Sequence, residues 1–328
     1  MKILVTGSSG HLGEALVRTL SKTNHKVVGT DIKESPFTNR VGSIADRSHV
    51  AQCMKNVDAV IHTATLHKPH VATHSKQDFV ETNITGTLHL LEEALSNKIK
   101  SFVFTSTTST FGNALIPAAG APAAWITEDV VPIPKNIYGV TKIAAENLCE
   151  LFHRKHDLPC LILRTSRFFP EEDDSKAMRE NYEDLNAKVN EFLSRRVDVQ
   201  DAVDAHLLAM EKAPEIGFDR YIISATTPFQ KEDLADLRRD APSVLKKRIP
   251  EYEPLFKKLG WHMFPFLDRV YVNEKARREL GWTPKYDFRK MLSQLETNEP
   301  PMSPLTHLIG KKGYHDADFE EGPFPVED

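Results

Sequence analysis

The sequence VTGSSGHLGEAL at positions 5–16 begins inside a short β-branched run, KILVT (2–6), and continues into an amphipathic segment. In this spacing Gly7 permits a tight turn, Gly10 lets backbone approach a pyrophosphate, and Gly13 lets helix and strand pack closely. The N-terminus of the helix would supply amide donors and a favourable field for phosphate groups. Strand, glycine spacing and helix together predict a dinucleotide-binding unit at the start of the chain.

A carboxylate, Asp31, ends the second predicted strand, KVVGTD (26–31). A carboxylate about twenty residues beyond the glycine loop can accept both hydroxyls of an adenosine ribose and repel a 2′-phosphate. This position predicts NAD rather than NADP; the alternative is that Asp31 only caps the strand end. We assign the loop residues Ser9, His11 and Leu12 to the same cofactor site.

Strand and helix patterns alternate through the first half of the chain. Further strands are predicted at DAVIH (58–62), SFVFTS (101–106) and LPCLILR (158–164), with helices at about 75–95 and 136–152 between them. This alternation predicts an α/β fold, a doubly wound parallel sheet with right-handed crossovers.

The second half is smaller and more helical. We predict a dinucleotide-binding core at 1–165, with 197–225 returning to it, and a substrate-binding part at 166–196 and 226–295. The proline-rich, acidic segment 296–328 is expected to be a poorly ordered tail.

Bulk composition narrows the class of protein. A formal charge of −4 and a pI near 6.4 give no basic surface for nucleic acid. No run approaches the ~20 apolar residues that a membrane-spanning helix needs. Three cysteines without a pattern fit a reducing cytoplasm rather than a disulfide framework. No metal site is predicted.

A tyrosine and a lysine lie one helical turn apart in YGVTK (138–142). A free phenol has a pKa near ~10, so Tyr138 is a poor base near neutrality unless cations stabilise its phenolate. Lys142 would supply one positive charge and an oxidised nicotinamide a second. The simpler alternative is a surface hydrogen bond.

Four motifs in order resemble one protein family. They are TGSSGHLG (6–13), FTSTTSTFG (104–112), YGVTK (138–142) and NEKARRELGWTPKYDF (273–288). Together they resemble an extended short-chain dehydrogenase/reductase, more narrowly the NAD-dependent epimerase/dehydratase group. The resemblance implies a Rossmann-type core with a smaller, mostly helical C-terminal substrate domain, and NAD as cofactor.

The resemblance also implies roles for residues. Thr107 occupies the catalytic Ser/Thr position, Tyr138 is the general base, and Lys142 also anchors the nicotinamide ribose. Further cofactor contacts implied by the family are Ile44, Thr63, Ala64, Thr65 and Thr105; implied substrate contacts are Ser106, Asn83, Arg167 and Arg269. His67 either lies near the phosphates, where some relatives place a lysine, or is an exposed loop residue.

Two departures from the family pattern reduce the number of reactions that the sequence supports. Thr108 and Ser109 stand where sugar-nucleotide dehydratases carry Asp-Glu, which disfavours dehydration. Arg167 replaces an asparagine of nucleotide-sugar epimerases, and an arginine fork suits a carboxylate or one phosphate. We therefore expect hydride transfer at a secondary alcohol of a sugar or sugar acid. The alternatives are a UDP-sugar 4-epimerase and a non-catalytic NAD(H) sensor.

The family's dimers suggest that the helices at about 75–95 and 136–152 could pair into a homodimer. Ile143, Leu148 and Phe152 could serve that contact or could equally face the sheet.

Overall fold

The computed structural model describes residues 1–313, 315 and 319. A seven-stranded, fully parallel sheet has the order β3-β2-β1-β4-β5-β7-β8, and β6 and β9 form a separate parallel pair. The strands are β1 (Lys2–Thr6), β2 (Lys26–Asp31), β3 (Arg40–Val41), β4 (Ala59–His62), β5 (Ser101–Thr107), β6 (Ala124–Ile126), β7 (Cys160–Thr165), β8 (Phe218–Ile223) and β9 (Arg269–Tyr271). The predicted α/β class with a Rossmann-type sheet is confirmed.

The helices of the described chain follow the expected alternation in its first half. They are α1 (His11–Leu20), α2 (Arg47–Cys53), α3 (Lys76–Phe79), α4 (Gly86–Ser96), α5 (Ile137–His156), α6 (Lys176–Asn181), α7 (Asp184–Glu191), α8 (Val199–Ile216), α9 (Leu234–Leu237), α10 (Ala241–Arg248), α11 (Tyr252–Leu259), α12 (Glu274–Leu280), α13 (Phe288–Glu296) and α14 (Pro304–Ile309). The single helix predicted at 75–95 is α3 and α4 joined by a π-helical segment, Val80–Thr85. None of these helices combines the length and the apolarity that crossing a membrane requires.

Helices cover both faces of the large sheet. Alternate strand residues point to opposite faces, so Ile3 and Val5 pack with α1 and α8, whereas Leu4 packs with α4 and α5. The strand order reverses between β1 and β4, which is where open α/β sheets bind ligands at their carboxyl ends. The glycine loop follows β1, and the segment 63–65 follows β4.

A second apolar cluster lies in the C-terminal half. Its buried residues include Phe192, Phe229, Val244, Phe256 and Phe288, and α10, α11 and α13 each contribute several of them. Most of this cluster falls within the predicted substrate-binding part, whereas Ala123, Ala225 and Met302 come from outside it. The predicted division of the chain into domains stays a prediction.

The expectation of a poorly ordered tail is wrong for residues 304–309. They form α14, which packs on α1 and α8 and buries Ile309. The Ser303 amide and the Thr306 hydroxyl both donate to the Asp198 carboxylate, at 2.9 and 3.0 Å. Serine at the N-cap and Pro304 at the first helical position form a helix start that the prolines nearby obscured. Within the predicted tail, residues 314, 316–318 and 320–328 lie outside the described residues.

Asp198 offers a test of how this segment is held. Its carboxylate also caps α8 through the Gln200 amide at 2.7 Å. We expect Asp198→Ala to lower the free energy of unfolding by about 2–4 kcal/mol, because one cap and two buried donors lose their acceptor. Urea unfolding followed by circular dichroism measures this.

The matched control is Asp240→Ala, because Asp240 is an exposed N-cap residue of α10. It should cost only about 1 kcal/mol. Equal losses in the two variants would mean that Asp198 does not hold the α14 segment.

Candidate active site

The glycine loop is too tight for a side chain at Gly7 or Gly13. Gly7 has φ +71°, and a Cβ there would lie 2.8 Å from the Ala64 amide nitrogen. A Cβ on Gly13 would lie 1.9 Å from the Gly7 carbonyl oxygen. Gly10 is the N-cap residue of α1 and has no side chain with which to cap that helix. The first amides of α1 therefore lie where a pyrophosphate would need them, and the loop fits a dinucleotide.

Asp31 lies beside this loop. Its two carboxylate oxygens accept the Ser9 amide and the Lys33 amide, each at 2.9 Å. The carboxylate is thus held at the carboxyl end of β2, next to the glycine loop. These two contacts are those of a strand-end cap, and they leave Asp31 at the position from which it would accept the ribose hydroxyls. That role stays a prediction.

The segment after β4 is tied to β1 by the Thr6 hydroxyl. This oxygen accepts the amides of Thr63 and Ala64, each at 3.1 Å, and contacts the buried His62 ring at 2.7 Å. Because two amides already donate to it, the hydroxyl donates its own proton to His62 Nδ1. The segment 63–65 is therefore fixed against the end of β1, next to the glycine loop, and its predicted cofactor contacts stay predictions.

Asn83 connects this segment to α5. Its side-chain oxygen accepts the Thr65 hydroxyl and the Leu66 amide, each at 2.9 Å, and its amide group donates to the Leu66 carbonyl and the Thr141 hydroxyl. Asn83 lies in the π-helical turn, a feature that often marks functional sites. All these contacts are internal to the protein, and the predicted contact between Asn83 and substrate stays a prediction.

Tyr138 and Thr107 meet at the carboxyl end of β5. Burial raises the pKa of Tyr138 to about 12, and the nearby Thr107 hydroxyl acts on this pKa in the opposite direction. Tyr138 is only 7% exposed. The Thr107 hydroxyl also accepts the Ser109 amide at 3.1 Å, which fixes its position. The protein alone therefore keeps Tyr138 as a neutral phenol.

Lys142 lies one turn further along α5. Its ammonium donates to the Thr105 carbonyl at 2.7 Å and lies 4.0 Å from the centre of the Phe104 ring. Burial lowers the pKa of Lys142 to about 7, although the charge of Glu146 acts to raise it. Burial lowers the pKa of His67, whose ring lies 6.5 Å from that of Tyr138, and the positive charge of Lys142 adds to this lowering.

The buried ammonium predicts that one substitution increases stability. Burial lowers the pKa of Lys142 from the ordinary value of 10.5, which holds in the unfolded chain, to about 7 in the folded protein. The unfolded chain therefore binds the proton more tightly, so the free energy of unfolding rises with pH between these two values. We expect Lys142→Met to be more stable than the native protein at pH 7 by about 1–3 kcal/mol, with the difference shrinking toward pH 10. The Thr105 hydrogen bond and the Phe104 ring offset part of the burial cost, which limits the gain.

Urea unfolding at several pH values without cofactor measures that difference. Lys155→Met, at an exposed position of the same helix, should change stability by less than about 0.5 kcal/mol. A Lys142→Met protein that is less stable than the native protein at pH 7 would contradict the prediction.

The neighbouring hydroxyl, Ser106, points to the other side of β5. It donates to the Glu146 carboxylate at 2.6 Å, and this carboxylate also accepts two hydrogen bonds from Arg164, at 3.0 and 2.7 Å. All three side chains are buried. Ser106 therefore faces α5, where its partner Glu146 lies about two turns beyond Tyr138. Its predicted contact with substrate stays a prediction, one for which these hydrogen bonds give no support.

The loop residues His11 and Leu12 and the adenine-side residue Ile44 are also buried. His11 contacts the Glu171 carboxylate at 2.7 Å, and Leu12 belongs to the apolar core. Ile44 packs against Gly86 at the start of α4. Their predicted cofactor contacts stay predictions.

The predicted substrate arginines lie in the C-terminal part. Arg167 forms ion pairs with Asp173 at 3.3 Å and Asp174 at 3.1 Å, so its guanidinium is bound within the segment between β7 and α8. Arg269 begins β9, and among the described residues its buried Nε has no hydrogen-bond partner. Both substrate roles stay predictions.

Residues 3–223 match the model of a family described as the NAD dependent epimerase/dehydratase family. The chain belongs to this family. Its curated relatives include a Bacillus subtilis protein described as an uncharacterized UDP-glucose epimerase, 29% identical over 185 residues, which are 50% of this chain and 55% of that protein. They also include a Dictyostelium discoideum dTDP-D-glucose 4,6-dehydratase, 30% identical over 51% of this chain and 44% of that protein. The chain thus spans about half the length of these two relatives.

Other family members match over more of their length. A dTDP-glucose 4,6-dehydratase from Streptomyces antibioticus is 26% identical over 90% of this chain and 91% of its own. Among solved structures, a short-chain dehydrogenase/reductase superfamily protein from Agrobacterium tumefaciens with bound NAD has a TM-score of 0.64 at 22% identity, covering 90% of this chain and 96% of its own. A Thermotoga maritima UDP-glucose 4-epimerase with UDP-glucose has a TM-score of 0.61 at 23% identity, covering 91% and 99%. At these identities the structural likeness supports the fold.

The motif patterns of the family did not reveal two residues of the site. Glu171 accepts His11 of the glycine loop and, at 2.9 Å, the amide of Lys312 from the C-terminal segment. His206 on α8 contacts the Thr105 hydroxyl at 2.9 Å. A signal for His206 was present, because it follows Val199 and Val203 at helical spacing and so lies on the apolar face of its helix. No comparable signal marks Glu171, since its partners are far away in sequence.

Among the residues that the structure describes, no group of three or more His, Cys, Asp or Glu side chains is arranged to hold a metal ion.

Proposed function

We propose that this protein transfers a hydride between NAD and a secondary alcohol of a sugar or sugar acid, with Tyr138 as the general base. The observation that carries the proposal is that the buried side chains of Tyr138 and Lys142, one turn apart on α5, lie beside Thr107 at the carboxyl end of β5. The order of these groups along the chain, after a glycine loop of cofactor-binding geometry, supports the same reading.

The residues around the glycine loop would hold NAD. The amides at the start of α1 would bind the pyrophosphate, and Asp31 would accept the ribose hydroxyls. A carboxylate at that position repels a 2′-phosphate, which supports NAD rather than NADP. When bound, the cofactor supplies a hydride acceptor for the carbon that bears the alcohol.

The protein's own residues handle the proton. Thr107 holds the substrate oxygen, and Tyr138 takes the hydroxyl proton as the carbon loses its hydride. Because burial raises the pKa of Tyr138 to about 12, phenolate formation requires added positive charge. Lys142 is the cation on the same side of α5 and would supply part of that charge.

Two observations bear on the substrate class. Thr108 is buried and Ser109 is exposed, and neither can act as an acid or base near neutrality, which argues against dehydration. Arg167 could bind a carboxylate only by exchanging Asp173 or Asp174 for the substrate group. We propose that an acidic sugar makes this exchange.

The second candidate is a UDP-sugar 4-epimerase. It is favoured by relatives such as the UDP-glucose 4-epimerase of Erwinia amylovora, 30% identical over 45% of this chain. A thermal shift with UDP distinguishes the two functions, because only an enzyme of UDP-sugars should gain stability from the free nucleotide.

The proposed function is tested by mixing the protein with NAD and a panel of aldoses, uronates and polyols. Absorbance at ~340 nm should rise with at least one member of the panel as NADH accumulates. Product exchange without NADH supports the epimerase, whereas NAD binding without any turnover supports a sensor. No affinity for NAD or NADP would refute all three readings.

We also propose a cytoplasmic homodimer. The three cysteines, Cys53, Cys149 and Cys160, are free and buried, which supports a reducing compartment. On α5, Phe152 packs into the core, whereas Val140 and Leu151 are exposed and available for a second copy. Light scattering after size-exclusion chromatography tests the assembly, and a monomer at micromolar concentration would exclude it.

A further inference from the structure

A buried histidine on α8 contacts the strand that carries Thr107. His206 is fully buried, with Nδ1 2.7 Å from the Ala202 carbonyl and Nε2 2.9 Å from the Thr105 hydroxyl. A carbonyl oxygen can only accept, so Nδ1 carries the ring proton. In the neutral ring Nε2 then accepts the proton of the Thr105 hydroxyl. The contacts thereby assign the tautomer of His206.

The same threonine holds the lysine of the candidate site. The Thr105 carbonyl accepts the Lys142 ammonium at 2.7 Å. The ladder between β4 and β5 ends at the pair His62–Phe104, one residue before Thr105. Lys142 approaches from α5 on one face of the sheet, whereas His206 lies on α8 on the other. Thr105 is therefore the point where the two helices are joined through hydrogen bonds.

We propose that His206 is a positioning residue for Lys142. By accepting the Thr105 hydroxyl, it holds in place the residue whose carbonyl anchors the ammonium. The inference rests on the proposed function only for the catalytic role of Lys142. The contacts from His206 through Thr105 to Lys142 do not depend on that function. The motifs of the candidate site do not include His206, and among the described residues its ring forms no hydrogen bond with Thr107, Tyr138 or Lys142.

The ring is suited to this task because it stays neutral. Burial lowers the pKa of His206 to about 4, so Nε2 remains an acceptor throughout the neutral range. Without this acceptor, the part-buried Thr105 hydroxyl would lose its hydrogen-bond partner and would turn to another. A small shift of the Thr105 main chain, which is paired with Leu163 of β7 on one side, would then weaken the hydrogen bond from Lys142 to its carbonyl. The charged form of the lysine would lose stabilisation.

The test measures the titration of the Lys142 side chain in the full-length protein without cofactor. Lysine labelled at Cε and Nζ is followed by NMR, and Lys142→Met identifies its signal. We expect His206→Leu and Thr105→Val each to lower the Lys142 pKa by about 0.5–1, a threefold to tenfold change in the protonation constant. His206→Gln, which keeps an acceptor for the Thr105 hydroxyl, should restore most of the native value.

The double variant provides the decisive comparison. If His206 acts only through Thr105, His206→Leu combined with Thr105→Val shifts the titration no further than either single change. The titratable groups whose charges act on Lys142 or respond to it are Glu146, Cys149, His62 and His67, and none of them is altered in these variants.

An unchanged Lys142 titration in His206→Leu overturns the proposal, even where thermal stability falls. Additive shifts in the double variant, or equal shifts with leucine and glutamine, overturn it as well. Because no cofactor is present, this titration is separate from the NADH assay. A protein that fails to turn over substrate but shows the expected shifts refutes the proposed function and leaves the positioning role of His206 intact.

Discussion

A Tyr138→Phe protein is expected to reduce NAD about 10²–10⁴-fold more slowly than the native protein, because it loses its general base. The change removes one oxygen atom and leaves the ring that fills the site. Since the glycine loop and Asp31 are untouched, the affinity for NAD should stay within about twofold of the native value. In free energy this is well below the roughly 1.4 kcal/mol that corresponds to a tenfold change in affinity. Stopped-flow absorbance gives the rate, and calorimetric titration gives the affinity.

The matched control for this prediction is Tyr252→Phe. Both tyrosines are almost fully buried, at 7% and 6% exposure, but Tyr252 donates to the Pro242 carbonyl inside the C-terminal apolar cluster. The control should lose stability without losing the rate of NAD reduction. A Tyr138→Phe protein that keeps more than a tenth of the native rate would remove Tyr138 from the reaction.

Gly13→Ala is expected to have the largest effect on the cofactor site. The new Cβ would lie 1.9 Å from the Gly7 carbonyl oxygen, 2.6 Å from the Gly7 carbonyl carbon and 2.9 Å from the Ser8 Cα. All three are backbone atoms of the glycine loop, so α1 must move away from β1. We expect a loss of about 2–3 kcal/mol in the free energy of unfolding, because the contact cannot be relieved by a side-chain rotation. Affinity for NAD should fall at least about 100-fold, since the displaced amides no longer point at the pyrophosphate.

A control glycine elsewhere in the chain separates the steric clash of a new Cβ from the cost of a left-handed backbone conformation. Gly281 has φ +67°, and a Cβ there would meet no atom within 4 Å. Gly281→Ala should therefore cost about 1–2 kcal/mol for the left-handed conformation alone and leave NAD affinity unchanged. Native NAD affinity in the Gly13→Ala protein would mean that this loop does not bind the dinucleotide.

The elements that depend on local patterns were predicted closely. β1 and β2 match the expected residues 2–6 and 26–31, and the helix expected from about 136 is α5. The i, i+4 spacing of Tyr138 and Lys142 placed both side chains on one side of a helix, and both are buried at the site. Errors arose where tertiary contacts outweigh composition. The proline-rich segment near Pro304 is folded because Asp198, more than a hundred residues earlier, accepts its amide and hydroxyl groups.

The sequence by itself therefore determined the parallel α/β sheet, the glycine loop and the order of Thr107, Tyr138 and Lys142. These depend on strand alternation, helical spacing and backbone freedom, which act over a few residues. Only the tertiary structure decided what each polar side chain contacts: Ser106 with Glu146, His11 with Glu171, and Thr105 with His206. The partners in these three pairs are 40, 160 and 101 residues apart in the sequence. Burial requires each polar group to have a hydrogen-bond partner, but it does not specify which residue that partner is.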